Sequence, residues 1–187
     1  MSKANEILDV AEDMVQRQGY NGFSFRDIAE TVGIKSASVH YHYPTKAALG
    51  SALAKRYTDR FLQGMPDSED SSIQPLEKLT LYVSAFRNAL MQDGKMCLCG
   101  MLGAESASLP KQVNTEVERF FQMNKGWLEA LYRGVAEDRR LMSPAIWAMR
   151  TLATLEGAMI VARTMSDMEG FDLIAKSLLN EVSEASD

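Results

Sequence analysis

The stretch from Ser24 to Lys46, SFRDIAETVGIKSASVHYHYPTK, limits the fold more than any other part of the chain. It holds two short helical patterns separated by a tight turn. Ser24 and Asp27 are spaced as a capping pair, whose side chains accept from backbone donors left orphaned in a first helical turn. Ile28, Ala29 and Val32 form one apolar face of a first helix. Gly33 follows, the residue type that enters a left-handed turn at least cost. Ile34 is an apolar plug after the turn. Ser36 is placed to cap a second helix, in which Val39 and Tyr43 are four apart and face inward. Pro44 stops that helix. Helix, glycine turn and helix make a helix-turn-helix, whose second helix can enter a DNA major groove. Ser38, His40, Tyr41 and His42 supply short or flat hydrogen-bonding groups for phosphates and base edges. Lys35 and Lys46 bracket the helix and are placed to hold phosphates. The competing reading is a three-helix core piece with an ordinary polar surface. The turn glycine, the plug and the polar face together favour the DNA reading. The candidate contacts are Arg26, Lys35, Ser36, Ala37, Ser38, His40, Tyr41, His42 and Lys46.

The same residues carry a family resemblance. The runs FSFRDIAETVGI from Phe23 and SVHYHYPTKAAL from Ser38 resemble the DNA-binding region of TetR-family regulators. The shared features are an Ile-Ala pair, a Gly-Ile turn, an aromatic-rich second helix and a Lys-x-x-Leu opening the next one. The resemblance covers about residues 4 to 60 and departs at Val39 and His40, where the family usually has Leu and Tyr. It implies a homodimeric, ligand-responsive regulator, most often a repressor, that binds a palindromic operator in double-stranded DNA.

Charge first argues against nucleic acid, since the chain carries a net −5 over its 187 residues. Between Gly33 and Arg60, however, Lys35, Lys46, Lys55, Arg56 and Arg60 face only Asp59, which predicts a basic face on an acidic body. The first residues, MSKANEILDVAEDM, are acidic and lack the apolar run of a signal peptide. Ala145 to Met165 is the most apolar late stretch, but Arg150, Glu156 and Arg163 interrupt it, against a membrane span. Two cysteines, Cys97 and Cys99, do not make a disulfide framework, and a reducing cytoplasm is the expected compartment.

The periodicity predicts an all-α chain. A first helix covers residues 4 to 18, with Ile7, Ala11, Met14 and Val15 on one face, and Tyr20 and Phe23 pack beneath the helix-turn-helix. Thr45 caps a helix over about 46 to 63, along which Leu49, Leu53, Tyr57 and Phe61 form a seam. Residues 64 to 75, GMPDSEDSSIQP, read as a loop. Pro75 opens a helix marked by Leu76, Leu79, Val83, Phe86 and Leu90, with Gly94 after its end. A short apolar segment follows to about Ser106. Pro110 and Pro144 open two long helices, and a last one covers about Phe171 to Val182. The organisation expected is a three-helix DNA-binding domain over 1–47 and a helical effector-binding and dimerisation domain over 48–187.

Catalytic chemistry finds no support. His40 and His42 are the only histidines and sit about 200° apart around a helix, so they cannot chelate one metal as a pair. There is no phosphate-binding or dinucleotide fingerprint. No cofactor or metal is expected, and an enzyme is the least favoured class. Ten of the twelve methionines lie after residue 60. Methionine fills irregular apolar cavities, and with the aromatic residues these can line a small-molecule pocket as readily as a plain core. The family resemblance favours the pocket, with Phe86, Cys97, Met101, Phe120, Phe121, Met123, Trp127 and Trp147 as candidate effector contacts. Cys97 and Cys99 read first as two small buried hydrophobes. The sharper alternative is a thiol sensor, in which Lys95 supports a thiolate. An effectorless architectural DNA-binding protein is the further alternative. Ala145, Ala148, Ala153, Gly157, Ala158 and Ala162 allow close helix approach, and the resemblance places the last two helices in a dimer bundle.

Overall fold

The computed structural model describes residues 2–92 and 94–185. Among these the chain is all-α, with nine α-helices and no strand. The helices are α1 (Lys3–Gln18), α2 (Phe25–Val32), α3 (Ser36–His42), α4 (Lys46–Gln63), α5 (Pro75–Met91), α6 (Leu98–Ala104), α7 (Lys111–Arg133), α8 (Pro144–Met165) and α9 (Met168–Glu184). Short 3-10 turns at Tyr20–Gly22 and Glu137–Arg139 complete the path. Prolines and caps place most helix starts where the sequence predicts them. Thr45 Oγ accepts from the Ala48 amide at 3.0 Å, and Pro75 and Pro144 open α5 and α8. The start of α9 comes earlier than expected, because Asp167 caps it and accepts from the Gly170 amide at 2.9 Å.

The helices pack as two compact units that do not follow chain order. The first holds residues up to Arg60 together with Lys95–Phe121. Here α1 lies against α2, α3 and α6. Ile7, Ala11, Val15, Ile28, Val39, Leu49, Leu53, Leu98, Leu102 and Phe120 are sealed from solvent. Complete burial of a Val, Leu, Ile or Phe side chain stabilises by about 1.5–3 kcal/mol. The basic face expected between Gly33 and Arg60 is neutralised in its α4 part. Arg56 pairs with Asp9 at 2.8 Å and Glu12 at 3.0 Å, Arg60 pairs with Glu12, and Lys55 pairs with Asp59 at 2.9 Å. The local charge count included Asp59 and missed Asp9 and Glu12, which lie on α1.

The second unit holds Phe61–Gly94 and the chain from Gln122 onward. In it α8 packs on α9, and α5 packs on both. Its core contains Leu79, Tyr82, Phe86, Leu128, Tyr132, Trp147, Leu155, Met159, Phe171 and Val182. Tyr132 stacks on Trp147 with ring centres 4.3 Å apart, and its hydroxyl meets Thr151 at 2.6 Å. Lys78 is buried, and its ammonium donates to the carbonyls of Ser68 at 2.8 Å and Asp70 at 2.6 Å, pinning the loop before α5. By length and composition α8 could cross a membrane. One side of it packs into this core. The other leaves Ile146, Met149, Ile160, Val161 and Met165 exposed, and α9 adds Leu173 and Ile174.

Candidate nucleic-acid interface

The helix-turn-helix is built by short-range bonds. Ser24 and Asp27 form a complete capping box: Ser24 Oγ accepts from the Asp27 amide at 3.4 Å, and Asp27 Oδ2 accepts from the Ser24 amide at 2.7 Å. The Ser24 bonds hold the Asp27 carboxyl below its ordinary range. Gly33 sits at φ 71°, ψ 37°, in the left-handed region that favours glycine. Its amide donates to the carbonyls of Ala29 and Glu30, and the Ile34 amide reaches Ala29 at 2.9 Å. The chain therefore leaves α2 satisfied and turns sharply into α3.

Val39, fully buried, fixes which side of α3 faces inward. Tyr43 follows the last turn, half-buried, and its hydroxyl donates to the Ala4 carbonyl at 3.3 Å. Lys35, Ser36, Ala37, Ser38, His40 and Tyr41 are left exposed, as is Arg26 on α2. Tyr41 is 84% exposed, the largest exposure among the big apolar side chains of the described residues. His42 is half-buried with its ring against Tyr41, centres 5.2 Å apart. Lys35, Ala37, Ser38, Tyr41 and His42 line one cleft of about 340 Å³ with Lys3 and Ile34. The His40 ring leans edge-on against Phe25 at 4.7 Å, and its Nδ1 lies 3.4 Å from the Pro44 carbonyl.

Two expectations are corrected. Ser36 does not cap α3: Lys35 holds the cap position and no side chain bonds there, so Ser36 is the first helical residue. Lys46 is not a freely projecting phosphate holder. It is half-buried, its ammonium donates to the Phe23 carbonyl, and it lies 4.3 Å from the Phe23 ring centre and 4.9 Å from that of Tyr20. Burial pushes its pKa down.

The candidate effector contacts fall in both units. In the first, Phe120 meets Phe121 with ring centres 5.3 Å apart, and Phe120 also meets Tyr57 at 5.7 Å. Cys97 is buried and caps α6, its sulfur accepting from the Gly100 amide at 3.4 Å, while Met101 is half-buried. In the second unit Phe86 and Trp127 converge on Tyr82, at 5.4 and 5.2 Å. Trp127 Nε1 donates to the Pro66 carbonyl at 2.9 Å. Trp147 is sealed against Tyr132, and Met123 is exposed. Tyr82 and Asn124 escaped the sequence reading. Both are fully buried, and the Tyr82 hydroxyl donates to Asn124 Oδ1 at 2.9 Å. The available signal was the place of Asn124 four residues from both Phe120 and Leu128, on the apolar stripe of α7. The surroundings of Cys97 and Cys99 suit the first reading, two buried hydrophobes, better than the thiol-sensor alternative. Both are at most 2% exposed, neither is in a disulfide, and Lys95 is committed to Asp13 at 2.9 Å.

Residues 7–53 match the model of bacterial regulatory proteins of the tetR family. Over 137 residues the chain is 28% identical to the HTH-type transcriptional repressor KstR2 of Mycobacterium tuberculosis, covering 73% of this chain and 68% of that protein. A TetR-family transcriptional regulator from Agrobacterium tumefaciens superposes with a TM-score of 0.88 at 34% identity, covering 95% of this chain and 96% of that one. A TetR transcriptional regulator from Legionella pneumophila does so at 0.87 and 30%, with the same coverage. The chain belongs to the TetR family of bacterial transcriptional regulators. It is a family of DNA-binding regulators rather than of enzymes.

Proposed function

We propose that this protein is a cytoplasmic, homodimeric transcriptional repressor that leaves a palindromic operator when a small, largely apolar effector binds. Residues 1–47 read DNA, and 48–187 bind the effector and form the dimer. The observation that carries the reading is the outer face of α3, where Lys35, Ala37, Ser38 and Tyr41 stand exposed on a helix anchored by buried Val39. Burial of Tyr41 on DNA would give that exposure a use. Its phenol can meet a phosphate or a thymine methyl, and Ser38 a base edge. Repression is supported by relatives named as a transcriptional repressor and as a negative transcriptional regulator. Dimerisation is supported by the apolar strip on α8 and α9, which borders a cavity of about 500 Å³ lined by residues such as Ala158, Val161, Met165 and Leu173.

The mechanism is a shift between two arrangements of the paired heads. One arrangement fits successive major grooves roughly 34 Å apart. An effector that binds the other arrangement better removes the protein from DNA by no more than its differential affinity. The aromatic groups around Phe86, Tyr82 and Trp127, and around Phe120 and Phe121, suit an apolar effector with few polar groups. The test is selection of bound duplexes from a random pool. Recovery of an inverted repeat, lost with Tyr41→Ala in a folded dimer, supports the proposal. Recovery of no preferred sequence overturns it in favour of an architectural role.

A further inference from the structure

The 3-10 turn that delivers the chain to α2 is held by a side chain 85 residues away in sequence. Glu105 ends α6 and belongs to the same compact unit as the helix-turn-helix. Its Oε1 accepts from the Tyr20 amide at 2.8 Å, and its Oε2 accepts from Asn21 Nδ2 at 2.7 Å. Both oxygens are thus spent on the two residues that open the turn. The backbone makes room for this. Gly19 lies at φ 80°, and a Cβ there would collide with Glu105 Oε1. Two further contacts fasten the start of the same segment to α1. Gln16 Nε2 donates to the Met96 carbonyl at 3.0 Å, and Lys95 pairs with Asp13 at 2.9 Å.

We infer that Glu105 is a positioning residue for DNA recognition: its carboxylate fixes the direction in which residues 19–22 feed the α2 capping box, and so the placement of α3. The inference rests on the DNA-binding reading above. The turn's own backbone bonding is weak. Its own helix-type bond, from the Gly22 amide to the Gly19 carbonyl, is 3.4 Å long, whereas the Glu105 bonds are short and charge-assisted. Tyr20 and Phe23 are buried on either side of the turn, and Lys46 bonds the Phe23 carbonyl. A shift of the turn therefore carries the start of α2 with it.

The chemistry permits a swap test. Glu105→Ala removes both acceptors. Asn21→Asp sets a second carboxylate against the first. In the double variant Glu105→Gln, Asn21→Asp, the glutamine oxygen still accepts from the Tyr20 amide and its NH2 donates to the carboxylate introduced at position 21, so the clamp is rebuilt with reversed polarity. Affinity is measured on the duplex that the wild-type protein selects, and amide exchange is followed over residues 19–23 by mass spectrometry. Each single variant should exchange faster in that segment and lose about tenfold in affinity, while the double variant recovers most of both. A contact that only adds bulk would not respond to the polarity swap. Wild-type affinity in Glu105→Ala, or a double variant as weak as Asn21→Asp, overturns the inference. A wild-type protein that selects no DNA overturns the DNA-binding reading instead, and this inference with it.

Discussion

At the scale of single residues, the two lysines that bracket α3 separate in role. Lys35 projects into solvent, so Lys35→Ala should weaken binding to every DNA sequence and reduce the salt slope of affinity by about one unit. Lys46 is tied to the Phe23 carbonyl and two rings, so Lys46→Met should lower the melting temperature of the protein and leave that slope nearly unchanged. Titrating affinity against salt for both variants distinguishes the roles, and equal slopes would refute the assignment. Tyr41 is 84% exposed, so its truncation should cost affinity without cost in stability. The cysteines give a further residue-scale expectation. Cys97 and Cys99 lie inside the core, so a Cys97→Ser, Cys99→Ser variant should release DNA to a neutral effector as wild type does. Release of wild type alone by electrophiles would instead make the thiols the sensor.

At the scale of elements, four aspartates on the helices carry the acid sensitivity of the fold. Asp27 in the capping box, Asp13 beside Arg17, Asp59 beside Arg119 and Asp172 beside Arg87 are all held below the ordinary aspartate value of 3.8. Below that value the unfolded chain binds more protons than the folded one. Stability is therefore complete above about pH 5 and falls as pH drops through the lowered folded values. Urea midpoints between pH 6 and pH 3 should trace this fall, and Asp172→Asn should flatten part of it. A midpoint independent of pH would contradict the assignment. These elements also show what a sequence discloses. The capping box, Gly33, Thr45 and the prolines of α5 and α8 act on backbone a few residues away, so spacing alone places them. The aliphatic core followed from periodicity for the same reason. The partners of Lys46, Glu105, Lys95 and Asn124 lie across tertiary contacts, and no local pattern encodes them. The basic face was misjudged because Glu12 and Asp9 on α1 neutralise Arg56 and Arg60 on α4. The candidate DNA face was legible to the extent that burial of Val39 dictates which neighbours stay outside.

At the scale of the whole molecule, the decisive test is association. A Cβ at Gly157 meets nothing within 4 Å, so a side chain can leave the helix there without a clash at its first atom. Placed on a surface that a second copy is proposed to cover, the buried charge should give a folded monomer in sedimentation. A dimer of unchanged strength would put the interface elsewhere. The apolar strip on α8 and α9 then has a consequence for dosage. If only paired chains span both halves of an operator, the active species scales with the square of subunit number while pairs are scarce. Halving synthesis would cut occupancy about fourfold in that regime, whereas once pairing is complete the number of pairs follows synthesis only in proportion. A cell would thus read the abundance of this protein steeply, through the hydrophobic area of two helices that read no base themselves.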